Sequence, residues 1–289
     1  MSEEFRVGLT RDFLTPDGRV GWGDIGLAAL DAAPGVEWGF LDADQAELSA
    51  AAVAGYDALI VLLPRVTAAT VAIAALTLVL AALHRVREKD ALVRTGRWHA
   101  KLDHMGHGAA GRTLGIVGWG NVGRELSRLA APLGMRQVAS DPYADPAAAA
   151  AAGVALVDID TLVAEADVVV VTCALTPQTH HLLDAGRIAT MKPTAYLVNV
   201  ARGPIVDQPA LTRALADRRI AGAALDVFDP EPPDPDDPLL ALDNVLLAPH
   251  AIAWTDELAL GNGGSAIRAV LDVAAGRTPS HVVNPEVLR

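Results

Sequence analysis

Three glycines at a fixed spacing are the first feature of this 289-residue sequence that could do chemistry. Residues 114–124 read LGIVGWGNVGR and contain G-x-G-x-x-G at Gly118, Gly120 and Gly123. In such a loop the first glycine permits a tight turn, the second lets backbone N–H groups approach a pyrophosphate, and the third lets a helix pack closely on a strand. An apolar run precedes the loop and a helix-like run follows it, so the pattern favours dinucleotide binding over an ordinary glycine turn.

An acidic residue stands where a dinucleotide's ribose is expected. Asp141 lies 18 residues beyond Gly123, just after the second predicted strand of this region. A carboxylate there accepts hydrogen bonds from a ribose 2′-OH and repels a 2′-phosphate. The neighbouring residues Ser140, Pro142 and Tyr143 include no arginine. The sequence therefore predicts NAD rather than NADP as the cofactor.

An arginine, a glutamate and a histidine follow three later apolar runs. Arg202 comes after YLVNVA, Glu231 after GAALDVFDP, and His250 after NVLLAP. A guanidinium can grip a carboxylate at two points and polarise a neighbouring carbonyl, and histidine is the natural proton donor near neutral pH. Each of the three taken singly is more often an ordinary structural residue. Together, after a dinucleotide loop, they predict the reduction of a 2-oxo acid by NADH.

The elements that must position these residues alternate along most of the chain. Near-continuous Val, Leu, Ile and Ala strands separated by helical stretches predict a parallel sheet covered on both faces, with ligands bound beyond the carboxyl ends of the strands. Three strands are predicted in the first part of the chain: Arg6–Thr10, Glu37–Leu41 and Ala58–Leu63. Seven follow the polar connection 96–111: Leu114–Gly118, Gln137–Ser140, Ala155–Val157, Asp167–Thr172, Ala195–Val200, Ala221–Val227 and Val245–Ala248. Helices are predicted over 24–33, 45–54, 69–92 and 124–133, and in a tail broken at Gly261–Gly264.

Composition excludes several classes of protein. The net charge of −12 repels phosphate backbones and anionic membranes, so neither nucleic acid nor a membrane is an expected partner. Cys173 is the only cysteine, which excludes a disulfide framework and, with the acidic start MSEEF, predicts a cytoplasmic protein. His99, His104 and His107 have no tetrahedral ligand spacing, so no metal is expected.

One segment is apolar enough to raise the question of a membrane. Val66 to Leu83 carries no charge over 18 residues, the lower limit for a transmembrane helix. Its alanine and threonine content favours a long helix buried between domains or subunits. An exposed apolar face of that size marks an interface, so we expect a homodimer.

Four motifs together resemble a known family. The glycine loop with Asp141, NVARGPIVD (199–207), GAALDVFDPEPP (222–233) and LLAPHAIAWTDE (246–257) look like the D-isomer-specific 2-hydroxyacid dehydrogenases. The resemblance runs from about Val71 to Asp272. It implies an α/β fold: a doubly wound parallel-sheet (Rossmann) NAD-binding domain over residues 68–253, with an interdomain helix at 69–92. It also implies a second, smaller, flavodoxin-like α/β domain, formed by residues 1–67 and 254–289, that binds a small 2-oxo or 2-hydroxy acid.

The resemblance also assigns roles. Arg202 binds the substrate's carboxylate and carbonyl, His250 is the acid/base, and Glu231 pairs with His250. Asp226 bonds the nicotinamide amide. Trp254 is interpreted separately, from its position four residues after His250, as a wall of the substrate pocket. The remaining residues implied to line the NAD are Gly118, Gly120, Asn121, Val122, Gly123, Asp141, Cys173, Val200 and Ala201. Cys173 is otherwise interpreted as a small buried residue rather than a nucleophile.

The chain departs from the family in its first domain. After the strand at 58–63 the family has two more strands and a glycine-rich loop, G-V-G-x-D-x-V-D, that holds the substrate carboxylate. Here Pro64-Arg65-Val66-Thr67 leads almost directly into the long helix, so the substrate domain is predicted to be truncated. A catalytically silent NAD-binding regulatory paralogue is therefore an open alternative, favoured by the missing loop and opposed by the retained Arg202, Glu231 and His250. A hydrolase of the adenosylhomocysteine type is a weaker one, because that chemistry needs further polar residues.

Overall fold

The structure is a computed structural model that describes residues 4–41, 50–61 and 68–282. The strands are β1 to β10: Phe5–Leu9, Val36–Phe40, Ala58–Ile60, Thr113–Val117, Arg136–Ser140, Val154–Leu156, Val168–Val171, Tyr196–Asn199, Gly222–Leu225 and Val245–Leu247. The α-helices are α1 to α10: Ala28–Asp31, Ala50–Val53, Ala68–Leu83, Val86–Arg94, Asn121–Ala130, Pro146–Ala151, Ile159–Glu165, Ala185–Thr190, Gln208–Ala216 and Asp256–Ala274. Two compact units result, one from residues before 67 and after 253 and one from residues between them.

The second unit is built on a seven-stranded parallel sheet. The strand order is β10-β9-β8-β7-β4-β5-β6, so the chain moves outward from β4 to β6 and then returns to β7 on the other side of β4. This doubly wound order confirms the predicted fold class. The change of direction lies between β4 and β7, where an open α/β sheet leaves a crevice for a ligand.

The sheet is covered on both faces, which explains its continuous apolar strands. In β7, Val169 and Val171 pack into one core with α7, α8 and α9, while Val168 and Val170 pack into the other with α3 and α5. All four valines are completely buried. A strand that is buried on both faces has no solvated side, so it cannot show the alternation of polar and apolar residues seen at a solvated sheet.

The helix predicted at 69–92 is broken in the structure. It ends at Leu83, and α4 starts at Val86 after a bend of 59°. The carbonyl of Leu83 accepts a hydrogen bond of 2.7 Å from the backbone N–H of His107, and Arg85 adopts a positive φ of 54°. The prediction of one continuous helix is wrong because a distant segment satisfies the carbonyl at which the helix stops.

The apolar character of this region is explained by the second unit itself. Seven side chains of α3 are buried, and most of them belong to the core that it forms with α5 and the sheet. No single described helix is long and apolar enough to cross a membrane, although the bent pair α3 and α4 passes by length and composition. The sequence argument for a dimer assumed that this helix face needed a partner. Seven of its side chains are covered within the second unit, whereas Ile73 is 51% exposed, and the dimer stays a prediction.

His107 stands in a charged cluster beside this break. Its Nδ1 lies 3.0 Å from Nη2 of Arg112, which can only donate, so Nδ1 carries no proton there. Burial, Arg112 and Arg85 lower the pKa of His107 below its ordinary value of 6.5, against an opposing effect of Asp167. The ring also packs edge-on against Tyr196.

Acidification is therefore expected to destabilise the fold through His107. A histidine with a depressed pKa contributes its full stability above pH 6.5 and loses it as the pH falls below that value, because the unfolded chain takes up the proton first. Urea unfolding between about pH 7.5 and 5.5 should show a smaller loss of stability in His107→Gln than in the parent. His99→Gln, at an exposed position, should retain the parent's pH dependence. Equal slopes in the parent and His107→Gln would contradict this account.

The first unit contains a three-stranded parallel sheet in the order β2-β1-β3. Its core joins Val7 and Leu9 of β1 with Ile267 and Val270 of α10. The helix predicted at 24–33 is much shorter, α1, since the turn before it contains Gly23 and Gly26 at positive φ. Of the helix predicted at 45–54, the described part contains α2. Residues 45–49, and the segment 62–67 where the family's loop is predicted to be missing, lie outside the described residues.

The predicted break at Gly261–Gly264 does not occur, because α10 runs through it from Asp256 to Ala274. A Cβ on Gly263 would lie 2.2 Å from the carbonyl oxygen of Ile25. Gly263 therefore serves close packing of the helix on the segment before α1. The prediction was wrong because tertiary contacts can override the low helix propensity of glycine.

Candidate active site

The polar residues selected from the sequence lie at one edge of the second unit's sheet. Each follows the carboxyl end of a different strand, and the strands are neighbours. In sheet order from β10 to β5, with Glu231 in the loop after β9, these residues are His250, Glu231, Arg202, Cys173, Gly118 and Asp141. Adjacent strands are about 4.8 Å apart, so β8, β9 and β10 carry the arginine, glutamate and histidine within a short span.

The glycine loop lies at the change of strand direction. Gly118 has a φ of 92°, and a Cβ on it would overlap Cys173 at 2.6 Å. A Cβ on Gly123 would lie 2.2 Å from the carbonyl oxygen of Gly118, so only glycine lets α5 pack this closely. At Gly120, by contrast, no atom of the described chain lies within 4 Å of the Cβ position. That open side is where a ligand can approach the backbone.

The start of α5 fits a pyrophosphate. Gly120 is its N-cap and supplies no side-chain hydrogen bond, so the first N–H groups of this ten-residue helix are left for an anion. Asn121 is exposed at that end, and its Oδ1 accepts a hydrogen bond of 2.7 Å from Arg124. Val122 is half-buried behind it. The cradle, the free N–H groups and the helix dipole together suit the diphosphate of a dinucleotide.

Asp141 is held firmly in place at the end of β5. Its Oδ2 accepts the backbone N–H of Trp119 at 2.8 Å, and its Oδ1 accepts that of Tyr143 at 2.9 Å. A carboxylate can accept about four hydrogen bonds, so lone pairs remain on both oxygens for two ribose hydroxyls. The bond to Trp119 ties the carboxylate directly to the glycine loop.

Cys173 packs against Gly118 and is half-buried. Burial raises the pKa of its thiol to about 11, with a further contribution from the negative charge of Asp141. The residue is therefore a neutral thiol at physiological pH, and a nucleophilic role does not suit it. Val200 and Ala201, the other predicted lining residues on this side, follow the end of β8.

Arg202 is positioned by a buried asparagine. Asn199, 1% exposed, accepts the backbone N–H of Ala201 through Oδ1 and donates through Nδ2 to the carbonyl of Arg202, each at 3.0 Å. The guanidinium is exposed and donates once, from Nη1 to the carbonyl of Ala201 at 2.6 Å. Four of its five N–H groups are free of that bond, enough for a two-point grip on a carboxylate.

The loop of Arg202 lies directly against the loop that carries Glu231. A Cβ on Gly203 would come within 1.7 Å of the carbonyl oxygen of Phe228. The two backbones are therefore as close as glycine permits. The arginine after β8 and the glutamate after β9 are held in a fixed relation by this contact.

Glu231 and His250 form a side-chain hydrogen bond, the pairing that the family resemblance implied. Oε2 of Glu231 lies 2.9 Å from Nδ1 of His250, and Oε1 accepts the backbone N–H of Phe228 at 2.9 Å. A carboxylate only accepts, so Nδ1 must carry the proton and Nε2 is the end free to exchange one. The side chains of Glu231 and His250 are 35% and 47% exposed, which leaves that end of the ring accessible.

Asp226 fixes the backbone beyond His250. It is 5% exposed, and its Oδ1 accepts the N–H groups of Ala251 at 2.9 Å and Ile252 at 3.1 Å. Burial raises the pKa of Asp226, and these two hydrogen bonds oppose the shift. His250 itself has a φ of 53°, so the turn after β10 is tightly specified.

Two residues that hold this edge together received no role from the sequence. Asn199 was visible as a polar residue at the end of an otherwise apolar strand, and that is a usable signal for a buried positioning group. Gln208 gave no signal, because it follows the N-cap Asp207 at an ordinary helix start. Among the described residues no cluster of three metal-ligating side chains occurs, and His180 and His181 stack on each other with ring centroids 4.1 Å apart.

Comparison with known proteins agrees with this geometry. The family model described as "D-isomer specific 2-hydroxyacid dehydrogenase, NAD binding domain" matches residues 76–251, which include every residue of the edge just described. The chain belongs to this family. Its second unit is therefore an NAD-binding domain, and the Rossmann fold that the resemblance implied is confirmed.

Relatives of the family extend the match beyond that domain. A glyoxylate reductase of Korarchaeum cryptofilum is 40% identical over 229 residues, 78% of this chain and 69% of that protein. A D-3-phosphoglycerate dehydrogenase of Archaeoglobus fulgidus is 40% identical over 210 residues, 73% of this chain. The match spans only 40% of the Archaeoglobus protein and 65% of a glyoxylate reductase of Thermococcus onnurineus.

A solved structure resembles the chain over nearly its whole length. The TT0316 protein of Thermus thermophilus has a TM-score of 0.83 and 30% identity, and the alignment covers 96% of this chain and all of that one. D-lactate dehydrogenase of Escherichia coli shares the fold at a TM-score of 0.79 and 23% identity, over 96% of this chain and 99% of that one. The two-domain α/β architecture predicted from the sequence is thus confirmed.

Proposed function

We propose that the chain reduces a small 2-oxo acid to the corresponding D-2-hydroxy acid with NADH. The observation that carries this proposal is the placement of Arg202 and the Glu231–His250 pair after the carboxyl ends of β8, β9 and β10, on the same edge of the sheet as the glycine loop. An alternative without catalysis gives no reason for the contact between Glu231 and His250. Glyoxylate, hydroxypyruvate and pyruvate are the substrates to test, since the relatives include glyoxylate and hydroxypyruvate reductases.

The residues divide the work between binding and proton transfer. NADH, when bound, supplies the hydride to C2 of the substrate. Arg202 grips the substrate carboxylate and draws electron density from the carbonyl. The imidazolium of His250 gives its Nε2 proton to the carbonyl oxygen, and the neutral ring that remains keeps its Nδ1 proton on the side of Glu231. Asp226 holds the backbone at His250, and the proposed contact of its carboxyl with the nicotinamide amide places the cofactor beside the same residue.

The shortened substrate domain sets the expected rate. Without the family's glycine-rich loop, Arg202 is the one anchor for the substrate carboxylate that the sequence provides. Each charge-assisted hydrogen bond lost is worth about 1.5–3 kcal/mol, roughly ten- to a hundred-fold in affinity. We therefore expect NADH to bind with normal affinity, as measured by fluorescence titration. We expect NADH to be oxidised slowly, as measured by the decrease in its absorbance. Insertion of the glycine-rich loop and its two strands after Leu63 should raise the rate of NADH oxidation. A high catalytic efficiency in the parent would show that another segment binds the substrate carboxylate.

Asp141 is expected to make the protein select NAD. Its two fixed oxygens accept ribose hydroxyls and repel a 2′-phosphate, so NADH should bind more tightly than NADPH. Asp141→Ala should reduce this difference in affinity, because NADH loses hydrogen bonds to its ribose and the 2′-phosphate of NADPH is no longer repelled. Direct titration of both cofactors checks this. Equal affinities for NADH and NADPH in the parent would contradict the role of Asp141. The control is Asp145→Ala, a nearby substitution that removes the N-cap of α6.

We further propose a cytoplasmic homodimer. The support for a dimer is an exposed apolar surface on and after α4, since Val93, Trp98, Leu102 and Met105 are 58–75% exposed. The single cysteine supports a reducing compartment. Sedimentation of a folded monomer at micromolar concentration would contradict the dimer.

A further inference from the structure

The loop that carries Glu231 is anchored at its start by the close approach of Phe228 to Gly203, but its own sequence gives it little regular structure. Residues 229–237 read DPEPPDPDD, a sequence that can form neither helix nor sheet interior. Most of its side chains are exposed, and four acidic groups besides Glu231 lie within it: Asp229, Asp234, Asp236 and Asp237. Like charges along an exposed loop repel one another. Something outside the loop must therefore keep Glu231 in reach of His250.

A single buried side chain ties the loop at both ends. Gln208, 6% exposed at the start of α9, accepts the backbone N–H of Asp229 through Oε1 at 2.9 Å. Its Nε2 donates to Oδ2 of Asp237, also at 2.9 Å. The other oxygen of Asp237 accepts the N–H of Leu239 and so caps the short 3₁₀ turn that follows. One amide thus connects the first residue of the loop to its last.

We infer that Gln208 is a positioning residue that sets Glu231 against His250. The inference rests on the proposed function for its catalytic meaning, but the geometry it describes is independent of turnover. The amide of Gln208 donates at one end and accepts at the other, which is what a backbone N–H and a carboxylate require of a bridging group. Without this bridge, Asp229 N–H and Asp237 Oδ2 lose their partners at a half-buried site. The loop is then held near Glu231 only through Phe228, so the glutamate is less firmly fixed against His250.

The consequence appears first in the histidine ring. Glu231 keeps the Nδ1 proton on His250, which leaves Nε2 for proton transfer. When Glu231 moves away, the ring exchanges between its two neutral tautomers. Substrate binding through Arg202 does not depend on the bond between Gln208 and Asp237, because Asn199 fixes the backbone of Arg202 through its carbonyl. Loss of Gln208 should therefore lower kcat roughly 10–100-fold through misplacement of the proton donor, with little change in KM.

The test compares three variants of the full-length chain. Gln208→Met removes both hydrogen bonds at nearly constant volume. Gln208→Glu keeps an acceptor for Asp229 but sets a second carboxylate against Asp237. The double variant Gln208→Glu with Asp237→Asn restores a donor and an acceptor in exchanged places at the same net charge. Gln137→Met is the matched control, since Gln137 is also 6% exposed and bonds the carbonyl of Ser127 on the opposite part of the sheet.

The readout is the ¹⁵N spectrum of the histidine rings, recorded on the alkaline plateau of a pH titration of the same signals. The His250 signals are assigned by their loss in His250→Gln. We expect a pure Nδ1–H tautomer in the parent, in Gln137→Met and in the double variant, and a mixture in Gln208→Met and Gln208→Glu. An unchanged tautomer in Gln208→Met, a mixture in Gln137→Met, or no recovery in the double variant would overturn the inference.

The two proposals fail in different ways. If the tautomer responds as expected but the parent oxidises NADH with none of the 2-oxo acids, the positioning role stands and the proposed function fails. If the parent is active and the tautomer does not respond to Gln208, the inference fails alone. In an active protein, rescue of kcat by the double variant accompanies rescue of the tautomer.

Discussion

Replacement of His250 by alanine is expected to lower kcat about 10²–10⁴-fold, the usual contribution of a positioned general acid. The ring is held at Nδ1 by Glu231 and at its backbone by the clamp that Asp226 places on the next two residues. Nothing in the glycine loop depends on the ring. NADH affinity should therefore stay unchanged while turnover falls, as measured by fluorescence titration and by NADH oxidation at saturating substrate.

The control for this variant is His99→Ala, which removes an exposed histidine of the same unit and should leave both quantities at the parent value. A His250→Ala protein with parent turnover would show that the proton comes from water or another group. A protein that loses NADH binding as well would show that the ring supports the cofactor rather than the substrate.

Replacement of Arg202 by lysine should reduce kcat/KM by about ten- to a hundred-fold for each charge-assisted hydrogen bond that is lost. An ammonium cannot reproduce the planar two-point grip of a guanidinium, even though the charge is the same. The backbone should remain in place, because Asn199 bonds the N–H of Ala201 and the carbonyl of the arginine itself. The loss should appear mainly in KM for the 2-oxo acid.

Arg213→Lys, at an exposed position on α9, is the matching control and should leave the kinetics unchanged. Parent-like kinetics in Arg202→Lys would mean that the substrate carboxylate is bound elsewhere. Addition of guanidinium to an Arg202→Ala protein is a second check. Recovery of activity would indicate that the reaction requires the guanidinium group of Arg202.

Much of the fold was predictable from local pattern. All seven strands of the larger sheet lie within two residues of their predicted bounds, because a strand buried on both faces is a short unbroken apolar run and its neighbours are not. The glycine loop was predictable for a related reason: its glycines are required by contacts within the loop itself, such as that between Gly123 and Gly118.

The failures share a different cause, which is contact between residues far apart in sequence. The helix from Ala68 stops at Leu83 because His107 bonds its last carbonyl, and α10 continues through its glycines because Ile25 packs closely against Gly263. Neither partner is near in the chain, so no local pattern reveals it. Gln208 was missed on the same ground, since its two partners lie 21 and 29 residues away.

The way α10 completes the first unit has a consequence for synthesis on the ribosome. β1 and β3 share their core with Ile267 and Val270, yet about 200 residues separate Ile60 from Ile267 in the chain. At roughly 5–20 residues per second, the three early strands wait about 10–40 seconds for the helix that covers them. The NAD-binding unit is formed by one continuous stretch of sequence between these strands and α10, so it can fold as it emerges. Chaperones and proteases therefore have the longest access to the strands that are synthesised first, because their core is the last to be covered.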